Sequence, residues 1–173
     1  MQAGAVRGYV NRFAATPAEH VAVFTNNDDG HRTATDLAAA GVDVAAIIDS
    51  RPDAPKSEVA EVFAGAVVSG TGGRLGIGHV DIRLAGGGRK HVQCGALAVS
   101  GGWNPNVHLT CHHRGKPTWQ DDIAAFVPGE GVPPGIAVAG AARGVFGTAG
   151  TIADGQAQAI AQLAEIGITA AAD

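Results

Sequence analysis

Basic clusters, long apolar runs and paired cysteines are what this 173-residue sequence does without, and each shortage closes off a class of function. Its 12 Lys and Arg are scattered against 16 Asp and Glu, for a net charge of −4, so no positive stripe exists to neutralise a phosphate backbone and no nucleic-acid role is expected. No apolar run approaches the roughly 20 residues that cross a bilayer. The opening MQAGAVRGYVNRF carries Arg7, Asn11 and Arg12 inside its apolar stretch, unlike a secretory signal. A cytoplasmic chain with no membrane partner is the expectation. Cys94 and Cys111 have no CxxC spacing, which argues for reduced thiols rather than a metal or redox pair. There is no GxSxG elbow to supply a hydrolase nucleophile, and no GxGxxG fingerprint. What remains is 46% apolar and 16% charged, far from the composition of disorder and enough for one full core plus an appendage.

The chain is organised around residues 21–49. VAVFT (21–25) is a short β-rich apolar run of the kind buried on both faces of a parallel sheet, and NNDDG follows at once. From Asp29 apolar residues recur at helical spacing through Ala34, Leu37, Ala38 and Ala40, and Gly41 stands where a C-terminal cap belongs. VDVAAIID (42–49) is then a second buried strand. Parallel neighbours need a crossover, and the right-handed βαβ unit supplies it. A carboxylate about twenty residues past the first turn is where dinucleotide-binding folds hold an adenosine ribose, and Asp49 occupies that place. The turn Thr25-Asn26-Asn27-Asp28-Asp29-Gly30 has its one glycine at the end. Asn26 and Asn27 can make the tight turn, whereas Asp28 and Asp29 either repel a phosphate or cap the helix at its positive end. The unit therefore fits a nucleotide, another ligand, or none. Arg51 can accept a 2′-phosphate or stand as a solvated loop charge, and Asp49 tips the reading toward NAD over its phosphorylated form.

Around this unit, residues 3–14 carry helical spacing closed by Pro17, and residues 50–55 form a proline-punctuated loop. AVVSG (66–70) reads as a third parallel strand running into Gly70, Thr71, Gly72 and Gly73, which would face the same crevice as Asn26 and Asp49. GHVDIRL (78–84) alternates, Gly86 to Gly88 turn, and HVQC (91–94) returns as an antiparallel hairpin. ALAVS (96–100) is again a continuous strand, ending at Gly101, Gly102, Trp103 and Asn104. Three strand ends rich in Gly, Ser, Thr and Asn suit a shared ligand crevice. His108, His112 and His113 form the histidine cluster, but without a helical stripe or a carboxylate they read as a polar loop and no metal site is expected. WQDDIAAF (119–126) reads as a short amphipathic turn, IAVA (136–139) as a strand, and residues 146–166 as a long small-residue helix.

VFTNNDDGHRTATDLAAAGVDVAAIIDSRP, VVSGTGG, LAVSGGWNPNVHL and AFVPG, in this order, resemble the alpha subunit of heterotetrameric sarcosine oxidase, within the flavoproteins built from two dinucleotide-binding domains. FTNND and AVSGGWNP are the specific parts. The resemblance covers nearly the whole chain and implies an α/β fold: a Rossmann-like parallel sheet with an inserted antiparallel β-meander, followed by a strand and long helix from an incomplete FAD domain. It implies a linker helix over residues 1–20, an NAD-binding domain over 21–104, and a return into the FAD-binding domain over 105–173, with Gly140 and Ala141 near the flavin. The expected cofactor is NAD, with FAD only in the complete parent subunit, whose GxGxxG loop this chain lacks. The expected partners are the remainder of the FAD domain and the other oxidase subunits, or a second copy of the chain.

The function this implies is dinucleotide binding within an oxidoreductase acting on secondary amines. Thr25 to Asp28 and Gly30 would hold the pyrophosphate, Asp49 and Arg51 the adenosine end, and Gly70 to Gly72 with Gly101 to Asn104 the nicotinamide half. No residue of the chain is assigned a catalytic acid, base or nucleophile. The alternative, from a different class, is a non-catalytic module that keeps the architecture to dock subunits, its crevice closed by Asp28 and Asp29.

Overall fold

The computed structural model describes residues 1–171, in two compact units that divide between Gly102 and Trp103. The first unit is three-layered. Its middle layer is a parallel sheet of β1 (His20–Thr25), β2 (Asp43–Asp49), β3 (Val62–Ala64) and β7 (Ala96–Ser100), in the order β3-β2-β1-β7. Helices α1 (Ala3–Phe13) and α2 (Asp28–Ala39) cover one face, and an antiparallel meander of β4 (Val67–Gly72), β5 (His79–Arg83) and β6 (Arg89–Gln93) covers the other.

The continuous apolar runs of β1 and β2 are explained by this sandwiching. Val21, Val23, Val44 and Ile47 pack with Ala34 and Leu37 of α2 and with Ala3, Val6 and Val10 of α1. Ala22, Ala46 and Ile48 point the other way, onto Val80, Ile82 and Val92 of the meander. Each fully buried Leu or Ile here stabilises the fold by about 1.5–3 kcal/mol. α2 ends as its sequence dictates, with Gly41 just past the cap at φ 81°. The meander strands are one-sided, so even-numbered Val80, Ile82 and Val92 go inward while the odd-numbered residues face solvent.

The expected third parallel strand is displaced. β3 is Val62–Ala64, which pairs with Ile47–Asp49. Gly65 then turns the chain at φ 66°, and the AVVSG run becomes β4, which pairs antiparallel with β5. Only Ala66 of that run is fully buried, so its apolar character serves one face and not two.

The second unit contains a 3-10 turn (Leu109–Arg114), a hairpin of β8 (Pro117–Gln120) and β9 (Ala125–Pro128), a 3-10 turn (Gly140–Arg143) and α3 (Thr148–Glu165). The segment expected as an amphipathic turn is thus a hairpin, closed by Trp119 and Phe126 packed edge to face at 5.1 Å. The expected strand at 136–139 is irregular: among the described residues no strand pairs with it, and Ile136 is exposed. Asp154 of α3 accepts hydrogen bonds from Gly140 N (2.7 Å) and Arg143 (2.9 Å), fixing the second 3-10 turn to the helix. No residue of α3 is buried within this unit, and Ile152 is exposed. No helix among the described residues is long and apolar enough to cross a membrane.

Candidate functional site

The ends of β1, β2 and β7 meet at the C-terminal edge of the parallel sheet, and the first turn is held there by side chains in place of glycines. The Thr25 hydroxyl donates to Asn27 O at 2.9 Å and accepts from Asn27 N at 3.1 Å, which makes the tight turn. Asn27 caps α2, its Oδ1 accepting from Asp29 N at 3.0 Å. The same amide joins β1 to β7, donating to Ser100 O at 3.1 Å and accepting from Ser100 Oγ at 3.1 Å. Asn26 takes the other amide proton of Asn27 at 2.8 Å. Gly30 is buried against Thr25, and a Cβ there would fall 2.2 Å from the Thr25 hydroxyl oxygen. Close packing of helix on strand is what the last glycine of a dinucleotide fingerprint allows, and Gly30 supplies it.

At the end of β2, Asp49 is fully buried and its carboxylate is surrounded. Oδ1 accepts from Arg51 N at 2.9 Å, and Oδ2 from the Arg51 guanidinium at 2.8 Å. His31 Nε2 lies 2.8 Å from the same Oδ2. Burial pushes the carboxyl pKa up, but the hydrogen bonds from Arg51 and His31 outweigh it and hold it below the ordinary value. The bond to Asp49 raises the Arg51 pKa, against a smaller opposing effect of burial. Arg51 also reaches Asp28 at 2.9 Å, so one guanidinium joins the β2 end to the first turn of α2. Beside it Asp28, His31 and Thr35 line an open groove of about 350 Å³ against Pro55 to Val59.

The structure brings together Thr25, Asn26, Asn27, Gly30 and Gly102, and joins Asp28, Asp49 and Arg51. Gly102, at φ 87°, leaves its Cβ position 3.6 Å from the Asn27 amide. Gly101 precedes it, exposed. Gly70, Thr71 and Gly72 are not a loop beyond a parallel strand, as expected, but lie within β4 opposite Asp81, Val80 and His79. Trp103 and Asn104 open the second unit, both exposed. His31 escaped the sequence reading. Its signal was its place beside Gly30 on the buried side of α2, one turn from the cap.

No family model matches the chain. It is 42% identical to the sarcosine oxidase subunit alpha of Rhizobium meliloti (strain 1021) over 170 residues, 97% of the chain. The chain is homologous to a stretch of sarcosine oxidase alpha subunits. The Corynebacterium sp. (strain U-96) subunit alpha is 36% identical over 91% of the chain. The chain spans 17% of the length of each of these relatives. Among solved structures, L-proline dehydrogenase from P. horikoshii matches 94% of the chain and 29% of its own, at a TM-score of 0.58 and 19% identity. T. acidophilum thioredoxin reductase matches 85% of the chain and 52% of its own, at 0.64 and 16%. Those likenesses establish the Rossmann-like fold with its inserted meander.

Proposed function

We propose that residues 21–104 are the NAD-binding portion of a sarcosine oxidase alpha subunit-like flavoprotein oxidoreductase acting on secondary amines. The observation that carries this reading is the convergence of three strand ends at one edge of the parallel sheet, with Asn27 tying β1 to β7 and Gly30 seating α2 on Thr25. Backbone N–H groups at the start of α2 suit a pyrophosphate, and the groove beside His31 suits the adenine half. Arg51, braced by Asp49 and paired with Asp28 of the groove's lining, would with Asp49 mark the adenosine end. The role is binding and orientation, and the redox chemistry belongs to the cofactor. Residues 105–173 then return to a FAD-binding domain completed by the rest of a longer, cytoplasmic, multi-subunit protein. Exposed Ile152 on α3, a helix with no fully buried residue, supports that placement.

A second reading is favoured by one observation. The Asp49 carboxylate has both oxygens occupied by Arg51 and His31, and Arg51 is further tied to Asp28, so the crevice can serve as a closed structural element of a docking module. Calorimetric titration of the purified chain with NAD separates the two, after a denatured extract has been checked for carried-over nucleotide. The cofactor reading expects binding that Arg51→Ala weakens about tenfold, the cost of a charged hydrogen bond. No heat and no nucleotide in the extract would leave the docking module.

A further inference from the structure

We propose that His79, Asp81 and His91, on the solvent face of the meander, form a binding site for a divalent transition-metal cation of the zinc type. The site lies in the layer opposite α1 and α2 and is independent of the dinucleotide reading.

Strand geometry assembles it. Val80 and Ile82 are fully buried in the core, so alternation turns His79 and Asp81 outward, side by side on one face of β5. On β6, His91 pairs directly with Asp81 in the antiparallel register. One ligand atom from each of the three residues lies within 4.8 Å of the others, and His91 Nδ1 is 2.5 Å from Asp81 Oδ1. The two imidazoles stack with centroids 4.0 Å apart on this outward face.

The opposite neighbour, β4, supplies the second observation. It presents Gly72 to His79 and Gly70 to Asp81. A Cβ at Gly72 would lie 2.4 Å from the His79 ring, and one at Gly70 would lie 3.4 Å from Asp81 Oδ2. The imidazole occupies the volume that any other residue at 72 would fill. These are the glycines whose clustering first suggested a ligand contact. The bareness of Gly72 makes room for the His79 ring, while Gly70 leaves the Asp81 carboxylate at ordinary contact distance.

Donor chemistry narrows the ligand. Two imidazoles and one carboxylate suit zinc, cobalt, nickel or copper(II), whereas magnesium and calcium prefer all-oxygen shells and copper(I) prefers thiolates. Bonds of about 2.0–2.1 Å in a tetrahedral shell require His79 to approach Asp81 from 4.0 Å and His91 Nδ1 to back away from its 2.5 Å contact with Asp81 Oδ1, which half-exposed side chains do by rotation. Three protein ligands leave a coordination position for water or a further group. Arg83 and Arg89, the next outward pair along the ladder, set a positive boundary that the Asp81 carboxylate offsets.

The test uses the full chain stripped of metal, titrated with Zn²⁺ by calorimetry and with Co²⁺ by visible absorption. One equivalent is expected, with d–d bands for Co²⁺. His79→Ala and His91→Ala should each weaken binding at least tenfold, and the double variant should abolish it. Gly72→Ala, which removes no ligand, should weaken it several-fold by displacing the His79 ring. His112→Ala should leave it unchanged. Unaltered melting temperatures of the variants would show that the fold is intact. Zn²⁺ bound as tightly by the double variant, or no binding at micromolar metal, would overturn the proposal.

Discussion

Two aspartate–histidine pairs in the first unit, Asp49 with His31 and Asp81 with His91, are built from the same side chains and end in opposite states. Asp49 has no exposed surface, accepts from Arg51 as well as His31, and has no oxygen left over. Asp81 lies on an outward strand face, 40% exposed, with two imidazoles beside it and glycines across from it. A buried carboxylate must be saturated, because an unpaired charge in the interior costs several kcal/mol. An outward one can stay available. Burial therefore separates a brace from a ligand here, not residue type.

The largest expected effect breaks the buried member. Asp49→Ala leaves Arg51 and His31 without their acceptor and should destabilise the unit by about 3–5 kcal/mol in urea unfolding, against less than about 1 kcal/mol for Asp81→Ala. Because the folded-state pKa of Asp49 is depressed, its stabilisation is complete above the ordinary carboxylate value of about 3.9 and is lost as pH falls below it toward the folded value. Acid unfolding curves of the wild type should steepen in that window, and those of Asp49→Asn should be flatter there.

Next come the two glycines. Gly30→Ala drives a methyl into Thr25, whose side chain is fixed by two hydrogen bonds, and should cost about 1–3 kcal/mol. Gly72→Ala meets the movable end of the His79 ring and should cost less than about 1 kcal/mol in thermal denaturation. Equal losses would mean that the meander face is as tightly packed as the β1–α2 junction. His31→Ala should fall between the two at about 1–2 kcal/mol, since Arg51 still holds the carboxylate. The smallest effect belongs to a third pair, His20 with Asp43, whose side chains are 60% and 63% exposed. His20→Ala should change stability by no more than about 0.5 kcal/mol.

The β1–α2–β2 unit and β7 were legible in the sequence because two-sided burial writes itself as unbroken apolar runs, and because Gly41 marks the helix end. The third parallel strand was not. VFA is too short to announce itself, while the neighbouring AVVSG run imitates a two-sided strand although only Ala66 is fully buried. Asp49 and Arg51 were visible as candidates and meet locally, two residues apart, but their joining to Asp28 and to His31 depends on tertiary approach. The alternation of β5 was readable. Its outward residues meet His91 only through a register that the hairpin sets.

The pairing of β7 with β1 also has a consequence in time. Val21 pairs with Ala96 across most of the unit, whereas Arg83 pairs with Arg89 across a short turn. Long loops close late, because their entropy must be met before the contact rewards it. The meander hairpin is therefore expected to gain hydrogen-exchange protection first in pulse labelling, and β7 last. The Asn27–Ser100 bonds would then form at the final step, so the C-terminal edge of the parallel sheet would take shape only when the sheet is finished.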